Sequence, residues 1–141
     1  IGLCLVGSEM CIRDRHYREF VLPHSRTVFE SLAGRGPIIH FAAGNPVLLP
    51  LAAEAGGTVM GIDWRTELDH AWQQVGYDRG VQGNLDPAVL HTTPDVVRRR
   101  TEEILARVAG RPGHIMNLGH GILPETPVEN VLEFISTVKQ K

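Results

Sequence analysis

From residue 37 to the end of the chain, short β-rich runs alternate strictly with helical ones, and this alternation constrains the fold more than any other feature. Pro37 to Phe41 reads as a strand. Asn45 then caps a helix with Pro46 at its first position, and Gly56-Gly57 ends it. Thr58 to Asp63 is the next strand. Thr66 caps a helix carrying Leu68, Ala71, Trp72 and Val75 at i, i+3, i+4 and i+7, and Gly76 closes it. Gly80 to Asn84 is a third, shorter strand. Thr93 with Pro94 opens a helix whose Val97, Ile104, Leu105 and Val108 share one face, stopped by Gly110. His114 to Leu118 is the fourth strand, and Thr126 with Glu129 forms a capping box ahead of Val128, Val131, Leu132, Ile135 and Val138. Upstream, Tyr17, Phe20, Val21, Val28, Phe29 and Leu32 fit one helical stripe, which Pro23 must kink or interrupt.

Such alternation with short loops argues for a parallel sheet with its helices outside. Four βα units make either a small open sheet or half of a closed (β/α)8 barrel, whose usual size is about 250 residues. Polar residues separate the two. Asn45, Asp63-Trp64-Arg65, Gln82 with Asn84 and Asp86, and Asn117 with His120 all lie at or just past strand C-terminal ends. An open sheet gathers its ligand groups at one switch point, whereas a barrel collects them from every strand at one mouth. The expected fold is therefore α/β, half of a barrel.

Composition excludes several classes of function. A chain that is 43% hydrophobic and 21% charged is an ordinary globular one. A net charge of −2 provides no basic surface for nucleic acid or an anionic membrane. The one positive run, Arg98-Arg99-Arg100, is followed by Glu102 and Glu103, so Arg98/Glu102 and Arg99/Glu103 pair at i,i+4 on a helix. Cys4 and Cys11 match neither a zinc knuckle nor a redox motif. The apolar start is too short for a membrane span, which needs about 20 residues. It lacks the basic n-region of a signal peptide, and Arg13-Asp14-Arg15 stand where cleavage needs small residues. Ile1 to Arg15 resembles a translated adapter read-through, so residues 1–15 are expected to be foreign to a domain spanning residues 16–141.

Among residues able to carry chemistry, His120 is the sharpest candidate. Gly119 and Gly121 let the backbone approach a ligand, and imidazole donates to a carboxylate or moves a proton near neutral pH. The alternative is a turn histidine bonded to a loop carbonyl. His40, inside an apolar strand, reads as a satisfied wall histidine. Asp63 and Arg65 make either a pocket-rim anion clamp or a self-contained ion pair. Gln82 to Pro87 reads as a strand ending in an Asx-type turn that shapes the mouth. No HExxH and no paired cysteines occur, so no metal is expected. Neither Gly34-Arg35-Gly36 nor Gly119-His120-Gly121 has a phosphate-loop spacing, and no serine sits in GxSxG.

Four motifs occur together and in order: Ala53-Glu54-Ala55-Gly56-Gly57, Asp63-Trp64-Arg65, the run from Gln82 to Pro87, and Asn117 to Pro127. From about Tyr17 to Lys141 the chain resembles the C-terminal part of the uroporphyrinogen decarboxylase family. The resemblance implies the C-terminal half of a (β/α)8 barrel. It implies decarboxylation of the four acetate side chains of uroporphyrinogen III to give coproporphyrinogen III, with no cofactor. It places His120 near a substrate carboxylate; Asp63, Arg65, Gln82, Asn84 and Asn117 are candidate pocket-rim residues by their own position at the strand ends. It further implies a cytoplasmic enzyme, a homodimer at full length, with a tetrapyrrole substrate and no nucleic-acid or membrane partner. The family's Asp and Arg residues lie upstream of the matched segment, so the chain by itself is expected to be an inactive fragment. Zinc-dependent, corrinoid-acting methyltransferases of the same superfamily hold cysteines where this chain has Ala42 and His120, which sets that reading second. A small-ligand binding module on an open sheet is the third.

Overall fold

The computed structural model describes residues 14–42, 44 and 46–140. Its elements run α1 (Asp14–His16), α2 (Leu22–Leu32), β1 (Ile39–Phe41), α3 (Leu49–Ala55), β2 (Val59–Gly61), α4 (Leu68–Val75), β3 (Gly80–Gln82), α5 (Pro94–Val108), β4 (His114–Ile115) and α6 (Val128–Lys139). The four strands are parallel and lie in the order β1-β2-β3-β4. Each neighbours the next in sequence, so no switch point interrupts them. This is the order of successive strands round a barrel, and the fold is α/β with four βα units, half a barrel's complement. Strand runs are shorter than expected: β1 begins later, β3 and β4 end sooner, and β2 does both. The fourth stops at Ile115, and only an isolated bridge from Leu85 to Leu118 continues it.

Side-chain alternation gives the sheet two unlike faces. His40, Met60, Val81 and His114 are in register on one face, and Phe41, Gly61, Gln82 and Ile115 on the other. The first row packs under the helices, where Met60 and Val81 are fully buried and His40 nearly so. The second row leaves Phe41 and Ile115 each 44% exposed. Among helices, the Leu68, Ala71, Trp72 and Val75 stripe is buried as its period requires. The Trp72 indole N–H donates to the Arg79 carbonyl at 2.9 Å. A second core joins Leu85, Leu90 and Val97 to Ile104, Val131 and Phe134 between α5 and α6.

Several local expectations are corrected. Pro23 does interrupt the first helix, through a π-helical turn over Tyr17–Val21. That wider turn shifts the phase of the residues after it, so Tyr17 and Leu22 are buried while Phe20 and Val28 face out. Helix α4 starts one residue later than expected, with Glu67 rather than Thr66 at its N-cap. Thr93 does cap α5 by position, but Ala109 and not Gly110 takes the first left-handed residue at its end. The capping box at α6 does not form: Pro127 is the N-cap, and the Thr126 hydroxyl lies 3.2 Å from His91 Nε2. Helix α6 buries Asn130 and Thr137 and leaves Val128 and Leu132 exposed, against the expected stripe. Both polar residues have partners. Asn130 donates to the Leu90 and Thr92 carbonyls, both at 2.8 Å, and Thr137 donates to the Glu133 carbonyl at 2.8 Å. Asn45 and residues 1–13, with Cys4 and Cys11, lie outside the described residues. No helix among the described residues is long and apolar enough to cross a membrane.

Candidate functional site

The loops at the C-terminal ends of β2, β3 and β4 are tied together by polar side chains, and these ties decide which residues are available to a ligand. The Asp63 carboxylate is buried. It accepts from the backbone N–H of Gly44 at 3.1 Å and of Arg65 at 2.9 Å. The Arg65 Nη1 donates to both carboxylate oxygens, at 3.1 and 2.9 Å. The guanidinium also stacks 4.4 Å from the centre of the Trp64 ring. Of the two readings of Asp63 and Arg65, the self-contained ion pair is the one that forms. Asn84, reached across a cis Gly83–Asn84 peptide, is buried, and its amide donates to the carbonyls of Asp63 at 3.1 Å and Thr66 at 2.5 Å. Thr66 is thereby held in the turn after β2, which is why the next helix waits until Leu68. At the β3 exit, Asp86 accepts from the Ala88 N–H at 2.9 Å, the Asx-type turn expected before Pro87.

After β4, the Gly119 N–H donates to the Leu85 carbonyl at 2.8 Å, and Asn117 Oδ1 accepts from the Leu118 N–H at 2.9 Å. A β-carbon on Gly119 would stand only 2.6 Å from the Trp64 Cα. Glycine is needed there so that two turns of the chain can meet, not so that a ligand can approach. Around Gly121 the space is open. The turn thus carries His120 out over the exposed face of the sheet.

There, a concavity of about 430 Å³ is lined by His120, Asn117, Gln82, Phe41, Ile62 and Ile122. The structure brings His120, Gln82 and Asn117 together at one mouth. It gives Asp63, Arg65 and Asn84 to bonding between loops. Arg65 and Asn84 border a separate hollow of about 300 Å³ with Glu67, Arg100, Glu103 and Arg107, where Arg107 pairs with Glu67 and Arg100 with Glu103 at 2.7 Å. Sequence reasoning missed Phe41, Ile62 and Ile122 as lining residues. Alternation along β1 carried that signal for Phe41, since it sits one residue beyond His40. The expected Arg99/Glu103 pair is present at 3.9 Å, whereas Arg98 reaches across to Glu133 on α6 at 2.7 Å. Among the described residues no group of three or more His, Cys, Asp or Glu is placed to hold a metal.

Two histidines on the helix-facing side have perturbed protonation. His40 donates from Nδ1 to the Gly56 carbonyl at 3.2 Å and packs its ring 4.5 Å from that of Phe29, as a satisfied wall histidine does. His114 Nε2 donates to the Gly83 carbonyl at 2.7 Å. Burial holds both below the ordinary imidazole range, and the hydrogen bonds offset this only in part. Both are therefore neutral in the fold and take up a proton more readily when unfolded. Stability is full above about pH 6.5 and falls as the pH drops below it, because the unfolded chain then binds protons that the fold excludes. A urea midpoint measured from pH 7.5 down to 5 is expected to fall, and less steeply for His114→Gln. Equal slopes for the two proteins would remove His114 from this account.

The uroporphyrinogen decarboxylase (URO-D) family model matches residues 6–141. A uroporphyrinogen decarboxylase of Carboxydothermus hydrogenoformans is 54% identical over 125 residues, which are 88% of this chain and 36% of that protein. One of Sorangium cellulosum is 54% identical over 123 residues, 86% of this chain and 35% of that protein. The chain thus spans about a third of the length of the curated relatives it matches. Among solved structures, a methyltransferase from Methanosarcina mazei superimposes with a TM-score of 0.79 at 19% identity, over 92% of this chain and 38% of that one. That likeness is one of fold. The family model covers nearly all of this sequence, and the chain belongs to the uroporphyrinogen decarboxylase family.

Proposed function

We propose that this chain forms part of an enzyme that decarboxylates the acetate side chains of uroporphyrinogen III to give coproporphyrinogen III. The observation that carries the reading is the placement of His120 over the open sheet face, beside Gln82 and Asn117 and above an apolar floor. A tetrapyrrole is a large apolar ring with a carboxylate fringe, and this concavity opposes apolar to apolar and imidazole to fringe. Each turnover protonates the ring carbon next to the one that bears the acetate, making the ring an electron sink. The bond from methylene to carboxylate then breaks, its electron pair moves toward the ring, and CO₂ leaves. A proton is taken up at the former methylene as the ring carbon returns its own. This balance requires no cofactor.

In that scheme His120 holds a substrate carboxylate at the mouth. The groups that meet the pyrrole N–H donors and most of the other carboxylates come from the part of the enzyme outside this segment, as do the strands that close the sheet. Ala42 is buried and carries no ligating atom, which supports the decarboxylase over a zinc-thiolate methyltransferase.

A chimera tests the reading: residues 16–141 replace the matching third of the Carboxydothermus hydrogenoformans protein. Coproporphyrinogen formation is expected from the chimera. With His120→Ala it is expected to fall about tenfold or more in kcat/KM, the loss of one hydrogen bond to a charged group. Unchanged turnover and affinity across all four acetates would take His120 out of the site.

A further inference from the structure

The most unusual side chain on the open sheet face is Gln82. It is half-buried on β3, in register with Gly61 on one side and Ile115 on the other. Gly61 offers no side chain, and the Phe41 ring leans over it, so that a β-carbon there would lie 2.7 Å from that ring. Ile62 and Ile122 complete the surroundings. Gln82 thus stands as the one polar rung of an apolar wall, one strand away from His120. Its backbone carbonyl accepts from the Ile62 N–H at 2.8 Å, but among the described residues its amide has no hydrogen-bond partner. Asn84 commits its amide N–H groups to two carbonyls, and Asn117 commits only its amide oxygen, which accepts from the Leu118 N–H. Half-buried on the open face, the Gln82 amide is within reach of a group that enters the concavity.

We propose that Gln82 is a specificity residue whose amide N–H donates to a carboxylate of the bound substrate, a second anchor set below His120. The inference rests on the decarboxylase reading above. It assigns a neutral donor to a position where a lysine or arginine would bind a carboxylate more tightly. A neutral donor among apolar side chains orients a carboxylate without fully compensating its charge, which suits a group that must leave as uncharged CO₂.

The test uses the chimera with Gln82→Met and Gln82→Glu. Methionine keeps the length and removes the donor; glutamate keeps the shape and sets a negative charge against the substrate's. Because Gln82 faces the open side, both variants are expected to keep the parental urea midpoint. KM is expected to rise about tenfold for Gln82→Met. For Gln82→Glu, kcat/KM is expected to fall about tenfold further. Glutamate matching or exceeding glutamine would overturn the proposal, because it would show the group accepting from a pyrrole N–H. An active parent whose Gln82→Met variant keeps KM and kcat would overturn it alone. A folded parent chimera that makes no coproporphyrinogen would sink the decarboxylase reading and this inference with it.

Discussion

Gly119→Ala in the chimera is expected to cost on the order of 100-fold in coproporphyrinogen formation, although it adds a single methyl group outside the concavity. The added β-carbon would fall 2.6 Å from both the Cα and the Cβ of Trp64. Contacts so short between main-chain segments are not relieved by a rotamer change. One of the two turns must move. The turn after β2 is braced by Asp63, Arg65, Gly44 and Asn84, so the Leu118 to His120 segment is the one to give way. A displacement of about 1 Å at a substrate-positioning group is worth roughly 10²-fold in rate, and overpacking of this kind costs about 1–3 kcal/mol in stability. Gly121→Ala is the control, since nothing lies near its β-carbon position. If both variants show parental activity, the two turns do not meet in this way.

Trp72→Ala is expected to lower the stability of the chain by about 3–5 kcal/mol, a large part of the total for a domain of this size. Trp72 is 1% exposed and lies in the main core with Leu68, Ala71 and Val75. Its loss opens a cavity under the helix-facing side of the sheet and leaves the Arg79 carbonyl without the indole donor. Arg79 itself donates from Nη1 to the Ala53 carbonyl at 2.5 Å, so a shift there passes on to α3. Trp72→Phe keeps most of the volume and drops the hydrogen bond, and is expected to cost about 1–2 kcal/mol. Urea titration followed by far-ultraviolet circular dichroism measures both. A Trp72→Ala midpoint close to the parent's would show that the cavity collapses.

Much of the architecture was legible because it rests on local periodicity. The Leu68-Ala71-Trp72-Val75 spacing has one helical solution. Pro23 cannot continue an α-helix unperturbed, and Asp86 before Pro87 has few alternatives to a turn. The βα alternation likewise restricts the fold to parallel sheets. The placement of His120 past the last strand comes from the same reading.

Other features depended on residues far away in the chain, and sequence spacing could not assign them. Arg98 had a carboxylate four residues on, yet its partner is Glu133, whose hydrogen bond and charge raise the guanidinium pKa. On α6 the apolar stripe pointed one way and the packing went the other, since Asn130 found two carbonyls of the turn ahead of α5 to bond. Asp63, Arg65 and Asn84 looked as suited to a ligand as Gln82 and Asn117 did. Sequence by itself determined that polar groups would stand at every strand end, because alternation and turn chemistry act within a few residues. Only the tertiary structure decided which of them bind neighbouring loops and which face the concavity, because that choice is made by donors and acceptors brought together from 20 or so residues apart.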